Sequence, residues 1–127
     1  MNKYHNKKVT SYDGIQHDSK KEARRWCELK LLQKAGKISE LQRQVEFELI
    51  PAQYETYERF SKKGEKLADG TRTVERKCCY IADFVYTENG QRVVEDTKGY
   101  KRGSAYAIFA IKRKLMLYVH HVRIREV

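Results

Sequence analysis

The sequence predicts a single α/β domain in which helices flank a mixed central β-sheet. The chain has 127 residues, which is enough for one hydrophobic core but not for two. Hydrophobic residues make up 40% of the chain and charged residues 35%, a balance typical of a globular domain rather than a disordered chain. Segments with helical spacing of apolar residues are interspersed with segments that alternate, and this change of period predicts mixed α/β layers.

The N-terminal part of the chain predicts a helix followed by a strand. Residues 1–18 are polar, and we interpret them as an arm or a short strand. Ser19 opens a run of good helix formers, and Gly36 follows that run as a stop signal, so we expect the first helix between them. In residues 41–50 apolar and polar side chains alternate from Val45 onwards, and the run ends at Pro51, which predicts a strand.

Two different structures are expected after this strand. Residues 54–60 are interpreted as a further strand. Residues 61–75 contain Gly64 and the dipeptide Asp69-Gly70, which are turn signals. We therefore predict a mobile loop insertion over residues 61–75.

A β-hairpin is the most specific local prediction. In residues 80–99, two apolar runs flank the dipeptide Asn89-Gly90, which is the strongest short-range signal for a two-residue hairpin turn. Such a turn sets Glu88 opposite Gln91. In each further pair along the two strands, the two residue numbers then add up to the same total as 88 and 91.

This register brings two carboxylates together. Asp83 falls directly opposite Asp96, and Lys98 projects from the same face of the hairpin. Like charges that face each other destabilise a sheet, whereas a divalent cation would remove their repulsion. Mg²⁺ is commonly held by one or two carboxylates, so the pattern predicts a Mg²⁺ site suited to phosphoryl transfer. The alternatives are a solvated surface hairpin, or a loop of odd length that moves Asp96 to the opposite face.

Three further polar residues are accessory candidates with open roles. Glu22 stands three residues after Ser19, so it either completes a capping box or points across to the sheet. Glu95 directly precedes Asp96 in the predicted strand, so its side chain points to the opposite face of the sheet. Glu95 therefore ranks below Asp96 as a metal ligand. Gln44 in the first strand is a weaker candidate, and an outward-facing side chain is its alternative.

The end of the chain predicts a second helix over residues 104–118 and a final strand over 120–127. Lys112 lies in the middle of the apolar stripe of that helix. Lysine is rarely buried without a partner, so Lys112 either reaches the acidic residues or DNA, or extends its amine to solvent. The predicted elements follow one another in the order α-β-β-β-α-β.

The net charge of +10 is unevenly distributed. Residues 1–36 contain nine Lys and Arg against four Asp and Glu, and residues 101–127 contain seven against one, whereas the middle of the chain is close to neutral. Basic flanks around an acidic centre fit a surface that binds a polyanion such as DNA. General solubility is the alternative explanation. The candidate phosphate-binding residues are Lys20, Lys21, Arg24, Arg25, Lys101 and Arg102.

Composition also bears on the location of the protein. The chain has no apolar run of 18 residues and no apolar segment after its first residues, so we expect neither a transmembrane helix nor a secretory signal. An odd number of cysteines, two of them adjacent, suits reduced thiols in the cytoplasm.

The order of Glu22, Asp83 and the tripeptide Asp96-Thr97-Lys98 resembles the PD-(D/E)XK nuclease superfamily. That signature has an acid on the first helix, an Asp on one strand and (D/E)-x-K on the next. The longer runs DGIQHDSKKEA, GKISELQRQVEFELIPA, YIADFVY and VVEDTKGY resemble a family of small phage and prophage proteins with the restriction-endonuclease-like fold. Members of that family are mostly of unknown function. This resemblance covers nearly the whole chain.

The resemblance implies a metal-dependent DNA endonuclease that acts in phage DNA recombination, repair or processing. Asp83, Asp96 and the Thr97 carbonyl would bind Mg²⁺ or Mn²⁺. Lys98 would act on the attacking water, and Glu22 would complete the acidic cluster. Superfamily relatives include Holliday-junction resolvases, many of them dimers, so a Holliday-junction substrate and a homodimer are further expectations. A DNA-binding protein on a nuclease scaffold that no longer cleaves is the alternative.

Overall fold

The structure is a computed structural model that describes residues 8–98 and 101–127. It contains two helices and a set of strands, several of them very short. In chain order these elements are β1 (Val9–Thr10), β2 (Gln16–His17), α1 (Lys20–Lys34), β3 (Ser39–Ile50), β4 (Gln53–Phe60), β5 (Lys66–Glu75), β6 (Cys78–Glu88), β7 (Gln91–Asp96), α2 (Gly103–His120) and β8 (Arg125–Glu126).

A four-stranded mixed sheet forms the centre of the fold. Its strands lie in the order β3-β6-β7-β8. The β3–β6 and β6–β7 pairs are antiparallel, and the β7–β8 pair is parallel. This confirms the prediction of an α/β domain with a mixed sheet and two helices.

The two helices cover opposite faces of this sheet. Trp26 and Leu29 of α1 pack in one core cluster with Phe84 of β6. Phe109 of α2 packs in a second cluster with Val85, the next residue of β6. Because successive residues of a strand point to opposite faces, the sheet is buried on both sides, and β6 lies between two apolar layers.

Both helices have caps that fix where they begin or end. The Ser19 side chain accepts a hydrogen bond from the Glu22 amide at 3.1 Å and so caps the start of α1. His121 follows α2 in the left-handed conformation, with φ 57°. The prediction of a strand over 120–127 was therefore too long, because α2 continues to His120 and only Arg125–Glu126 pair with β7.

The prediction of a loop over residues 61–75 was wrong for most of its length. Lys66–Glu75 form β5, which pairs with β4 in a separate two-stranded sheet. Gly70 does not form a turn there. The Tyr57 ring lies over it so closely that an added Cβ would be 2.5 Å from a ring carbon. The glycine is needed for this close approach within the hairpin.

The start of the chain is only partly described, since the predicted arm includes residues 1–7. The described part forms the short β1–β2 ladder. The indole of Trp26 donates a hydrogen bond to Asp13 at 2.7 Å, which attaches this segment to α1. In the described ranges, neither helix is long and apolar enough to span a membrane.

Candidate functional site at the end of the central hairpin

The predicted hairpin register is confirmed. Asn89 and Gly90 have φ values of 52° and 76°, as a type I′ turn requires, and Glu88 pairs with Gln91. The ladder continues as far as the Phe84–Glu95 pair. One further step in this register places Asp83 opposite Asp96.

The Asp83 side chain replaces the backbone ladder at this point. Its Oδ2 accepts hydrogen bonds from the Thr97 amide at 2.9 Å and from the Thr97 hydroxyl at 2.7 Å. The carboxylate is thereby held against the residue that follows β7. It lies at the end of the sheet where the β6–β7 ladder stops.

Asp96 is a buried carboxyl with a strongly perturbed pKa. Its exposed fraction is 6%. Burial raises the pKa of Asp96 to about 7, and a hydrogen bond shared with Asp83 and the negative charge of Asp83 add to this effect. Lys98 acts in the opposite direction, because its Nζ lies 2.9 Å from Asp96 Oδ2 and lowers the pKa of that carboxyl. The Asp96 carboxyl can therefore exchange a proton near neutral pH.

Lys98 is held in place from several sides. Its ammonium lies 3.7 Å from the centre of the Phe109 ring of α2, a cation–π contact. Its backbone amide donates to the Val127 carbonyl at 2.9 Å, and its own carbonyl accepts a hydrogen bond from the Lys21 ammonium at 2.6 Å. The amine therefore faces Asp96 from a supported backbone.

Glu22 is buried, and its side chain lies toward the sheet. Its exposed fraction is 3%. Gln44 Nε2 of β3 donates a hydrogen bond to Glu22 Oε1 at 3.3 Å, and His17 Nδ1 lies 3.6 Å from the same oxygen. Burial, together with the negative charges of Asp83 and Asp18, raises the pKa of Glu22 to about 7. Glu22 is thus electrostatically coupled to Asp83.

A break in the pleat of the sheet occurs beside these residues. Ala82 packs in the core cluster of α2, whereas Phe84 packs in that of α1, although residues two apart in a strand normally share a face. In β3 the corresponding position is Gln44, which has φ 53°. A left-handed conformation at a residue other than glycine costs about 1 kcal/mol or more and often marks functional sites. The distortion is located between the Arg43–Phe84 and Val45–Ala82 pairs of the β3–β6 register, at the step that contains Gln44 and Asp83.

The raised pKa of Glu22 gives a testable dependence of stability on pH. A carboxyl whose pKa is higher in the folded state contributes stability at low pH, and that stability is lost as the pH rises toward 7. Glu22→Gln removes the charge at every pH. Without metal, we expect this variant to be more stable than the wild type at pH 8 by on the order of 2 kcal/mol, and equally stable near pH 4. Urea unfolding in EDTA across this range measures the difference.

Glu28→Gln is the matched control, since Glu28 is an exposed glutamate on the same helix. It should show no comparable gain at pH 8. A Glu22→Gln variant that is less stable than the wild type at pH 8 would contradict the assignment of a buried, destabilising charge.

Glu95 does not share the site with Asp96. It is fully buried on the other face of β7, where Arg25 donates to its two oxygens at 2.8 and 2.6 Å and the Tyr86 hydroxyl also donates to it. Its oxygens are therefore engaged in a structural network on the face of the sheet opposite Asp96. The same contacts pair the guanidinium of Arg25, a predicted phosphate-binding residue, with a buried carboxylate.

Loss of this ion pair should destabilise the fold. Glu95→Ala leaves the Arg25 guanidinium and the Tyr86 hydroxyl without their buried partner, and removing one member of such a pair typically costs about 3 kcal/mol. Urea unfolding tests this expectation. Glu28→Ala removes an exposed carboxylate whose Oε2 lies 3.1 Å from Arg25 Nη1. This substitution should lower the free energy of unfolding by about 1 kcal/mol or less. Equal effects of the two substitutions would contradict a structural role for Glu95.

The remaining predicted residues lie outside the acidic cluster, which consists of Glu22, Asp83 and Asp96. Lys112 is half-buried on α2, and no hydrogen bond or ion pair joins it to another described residue. The stripe around it is only partly buried, since Met116 is fully covered whereas Ile108 is 57% exposed. Five of the predicted phosphate-binding residues are exposed: Lys20, Lys21, Arg24, Lys101 and Arg102.

Sequence reasoning missed two residues beside the acidic cluster, His17 and Tyr80. Both are buried, with exposed fractions of 1% and 4%. His17 Nδ1 and the Tyr80 hydroxyl find no hydrogen-bond partner within the described ranges. Burial and the nearby charges of Asp96 and Asp83 raise the pKa of Tyr80, so its hydroxyl stays protonated. Tyr80 alternates correctly with the apolar residues of β6, so nothing in the sequence distinguished it from a core residue.

The described residues offer oxygen donors but no large ligand cluster. No group of three or more His, Cys, Asp or Glu side chains within residues 8–98 and 101–127 is arranged to hold a metal ion. The Asp83–Asp96 pair and the Thr97 carbonyl are hard oxygen donors of the kind that Mg²⁺ prefers. Mg²⁺ commonly uses only one or two carboxylates and completes its shell with water and phosphate oxygens. The site thus contains two neighbouring carboxyl groups, Asp83 and Asp96, and the Lys98 amine beside Asp96.

Comparisons with known proteins give a family but no function. No curated protein and no solved structure is significantly similar to the chain. A family model described as "Protein of unknown function (DUF1064)" matches residues 1–126. The chain therefore belongs to the DUF1064 family.

Proposed function

We propose that this chain is a Mg²⁺- or Mn²⁺-dependent DNA endonuclease of the PD-(D/E)XK type with a restriction-endonuclease-like fold. The observation that carries the proposal is the proximity of Asp96 to Asp83 and to Lys98, whose Nζ lies 2.9 Å from Asp96 Oδ2. Two carboxylates and an amine at the end of a buried hairpin match the superfamily signature in residue type and in order along the chain.

The donor set fits a hard divalent cation. Asp96 is buried beside Asp83, and its pKa is raised to about 7 mainly by burial and by that neighbour. A cation can take the place of the proton that this pair otherwise retains. The buried His17 Nδ1 also lacks a hydrogen-bond partner in the described part of the chain, as expected of a group that faces a hydrated ion. Asp83, Asp96 and the Thr97 carbonyl would hold the ion.

The bound ion would supply Lewis-acid polarisation of a DNA phosphate and neutralise its charge. Lys98 would place a positive charge beside the scissile phosphate, where it stabilises the developing negative charge or favours deprotonation of the attacking water. Asp96 would orient the Lys98 amine through their ion pair. Glu22 would act as the nearby proton acceptor, since its pKa of about 7 lets it exchange a proton near neutral pH.

The basic surface supports DNA as the substrate. Lys20, Lys21 and Arg24 are exposed along α1, beside the end of the helix that carries Glu22. Lys101 and Arg102 are exposed shortly after Lys98 in the chain. Phosphate contacts from both segments would position a duplex over the carboxylates. We further propose a role in phage DNA recombination, repair or processing, with a Holliday junction as one substrate and a homodimer as the acting form.

A second candidate is a DNA-binding protein that has lost cleavage activity. The net charge of +10 favours it, because a strongly basic protein binds DNA whether or not it cleaves it. It predicts salt-sensitive DNA binding with no cleavage of any DNA in either metal.

Cleavage of a panel of DNA structures separates the two candidates. The panel contains linear duplex, single strands, flaps and four-way junctions, each tested with Mg²⁺, Mn²⁺ and EDTA. A nuclease cleaves at least one member in metal and none in EDTA. Binding without cleavage of any member supports the second candidate, and cleavage that persists in EDTA rules out a metal-dependent mechanism.

A further inference from the structure

The β4–β5 hairpin is an exposed arm whose strands pair mainly with each other. Every residue of β4 is exposed, and in β5 only Gly70 is partly covered. The two strands form a sheet of their own, separate from the central one. An isolated two-stranded hairpin is marginally stable in water, so an arm of this length gains stability from a partner.

Charge is segregated along this arm. Its tip, residues 59–66, contains Arg59, Lys62, Lys63 and Lys66 against a single acid, Glu65, a net charge of +3. The rest of the arm, residues 53–58 and 67–75, has a net charge of −3. If the charges served only solubility, the positive and negative residues would not need to lie in separate parts of the arm.

The tip holds two of its lysines at the apex. The Ser61 hydroxyl accepts hydrogen bonds from the amides of Lys63 and Glu65 at 3.2 and 3.0 Å. Gly64, with φ 83°, completes the turn. Lys62 and Lys63 are both exposed, and neither forms an ion pair with a described residue. Beside them, the Phe60 side chain is 56% exposed.

The arm starts from the end of the sheet that carries the carboxylates. β7 ends at Asp96, and the Asn89-Gly90 turn lies at the other end of the β6–β7 pair. The first residue of β6, Cys78, pairs with Ile50, so the chain enters and leaves the arm at the end of the sheet where β7 stops. Strands of this length extend about 27 Å, which corresponds to about eight base pairs of duplex.

We propose that the tip of this arm binds the phosphate backbone of duplex DNA at a distance from the carboxylates. A two-stranded β-ribbon fits the major groove, and the +3 tip complements the phosphates on its edges. The inference rests on the proposed function, since it makes the arm a second contact with the same substrate. The acidic remainder of the arm is repelled by DNA, which restricts the contact to the tip.

The test compares DNA binding by two double variants in EDTA, where binding is measured without cleavage. Lys62→Gln with Lys63→Gln neutralises the apex. Lys34→Gln with Lys37→Gln makes the same charge change at exposed positions near the end of α1, about 18 Å along the helix from Glu22. Fluorescence anisotropy with a labelled 30-base-pair duplex is recorded at several salt concentrations, and circular dichroism verifies folding.

The tip variant should bind the duplex about tenfold more weakly, and its slope of log affinity against log salt should fall by about two. The control variant should change both quantities by much less. Equal losses in the two variants, or an unchanged affinity in the tip variant, would overturn the arm proposal. If the tip variant weakens binding while the wild type cleaves no DNA in metal, the arm proposal stands and the nuclease proposal is wrong.

Discussion

Asp83→Asn is expected to lower metal-dependent DNA cleavage about a thousandfold while leaving the fold intact. The substitution removes one of two facing carboxylates, and the loss of a catalytic ion costs several kcal/mol of transition-state stabilisation. Asparagine retains one oxygen that can accept the hydrogen bonds that Thr97 donates to Asp83. The local structure should therefore survive. Single-turnover cleavage in Mg²⁺ measures the effect, and thermal unfolding verifies the fold.

The same variant should also lose the repulsion that raises the pKa of Asp96. In EDTA at pH 8 we therefore expect it to be at least as stable as the wild type. This distinguishes a lost catalytic group from a damaged core. Retention of full cleavage by Asp83→Asn would show that the carboxylate pair is not the catalytic centre.

Lys98→Ala is expected to reduce cleavage about a hundredfold with little change in metal affinity. The amine is not a metal ligand, so its loss should lower kcat rather than abolish binding of the ion. Lys98 also lowers the pKa of Asp96. Its removal should therefore shift the acidic limb of the pH–rate profile to higher pH, because Asp96 then keeps its proton longer.

Lys114→Ala is the matched control for this prediction. Lys114 is an exposed lysine of α2 that has no place in the proposed site, so its substitution should reduce cleavage by less than about fivefold. Near-wild-type activity of Lys98→Ala, or equal losses in the two variants, would contradict a role for the Lys98 amine in the chemical step.

The parts of the fold that the sequence predicted correctly depend on local signals. The Asn89-Gly90 turn sets its own hairpin register, and the ladder in that register runs as far as Phe84 and Glu95, the residues next to Asp83 and Asp96. Ser19 and Gly36 likewise delimit α1 through capping. In each case the residues that determine the structure are close together in the sequence.

The incorrect predictions concern contacts between distant residues. The segment that forms β5 resembled a loop because Gly70 suggested a turn. In the structure, Gly70 instead makes room for the ring of Tyr57 in the paired strand. The ion pair of Arg25 was not predicted, because its partner Glu95 is 70 residues away in the sequence. The break in the pleat occurs at Gln44, which is not a glycine, so nothing in the sequence indicated it. The involvement of His17 and Tyr80 follows only from tertiary packing.

The most direct test of the central claim is a Mn²⁺ titration followed by electron paramagnetic resonance at pH 8. The Asp83–Asp96 pair should bind Mn²⁺ in the wild-type protein, Mg²⁺ should displace it, and Asp83→Asn should weaken its binding about tenfold or more. Absence of binding by the wild type, or equal binding by Asp83→Asn, would contradict the assignment of this carboxylate pair as a metal site.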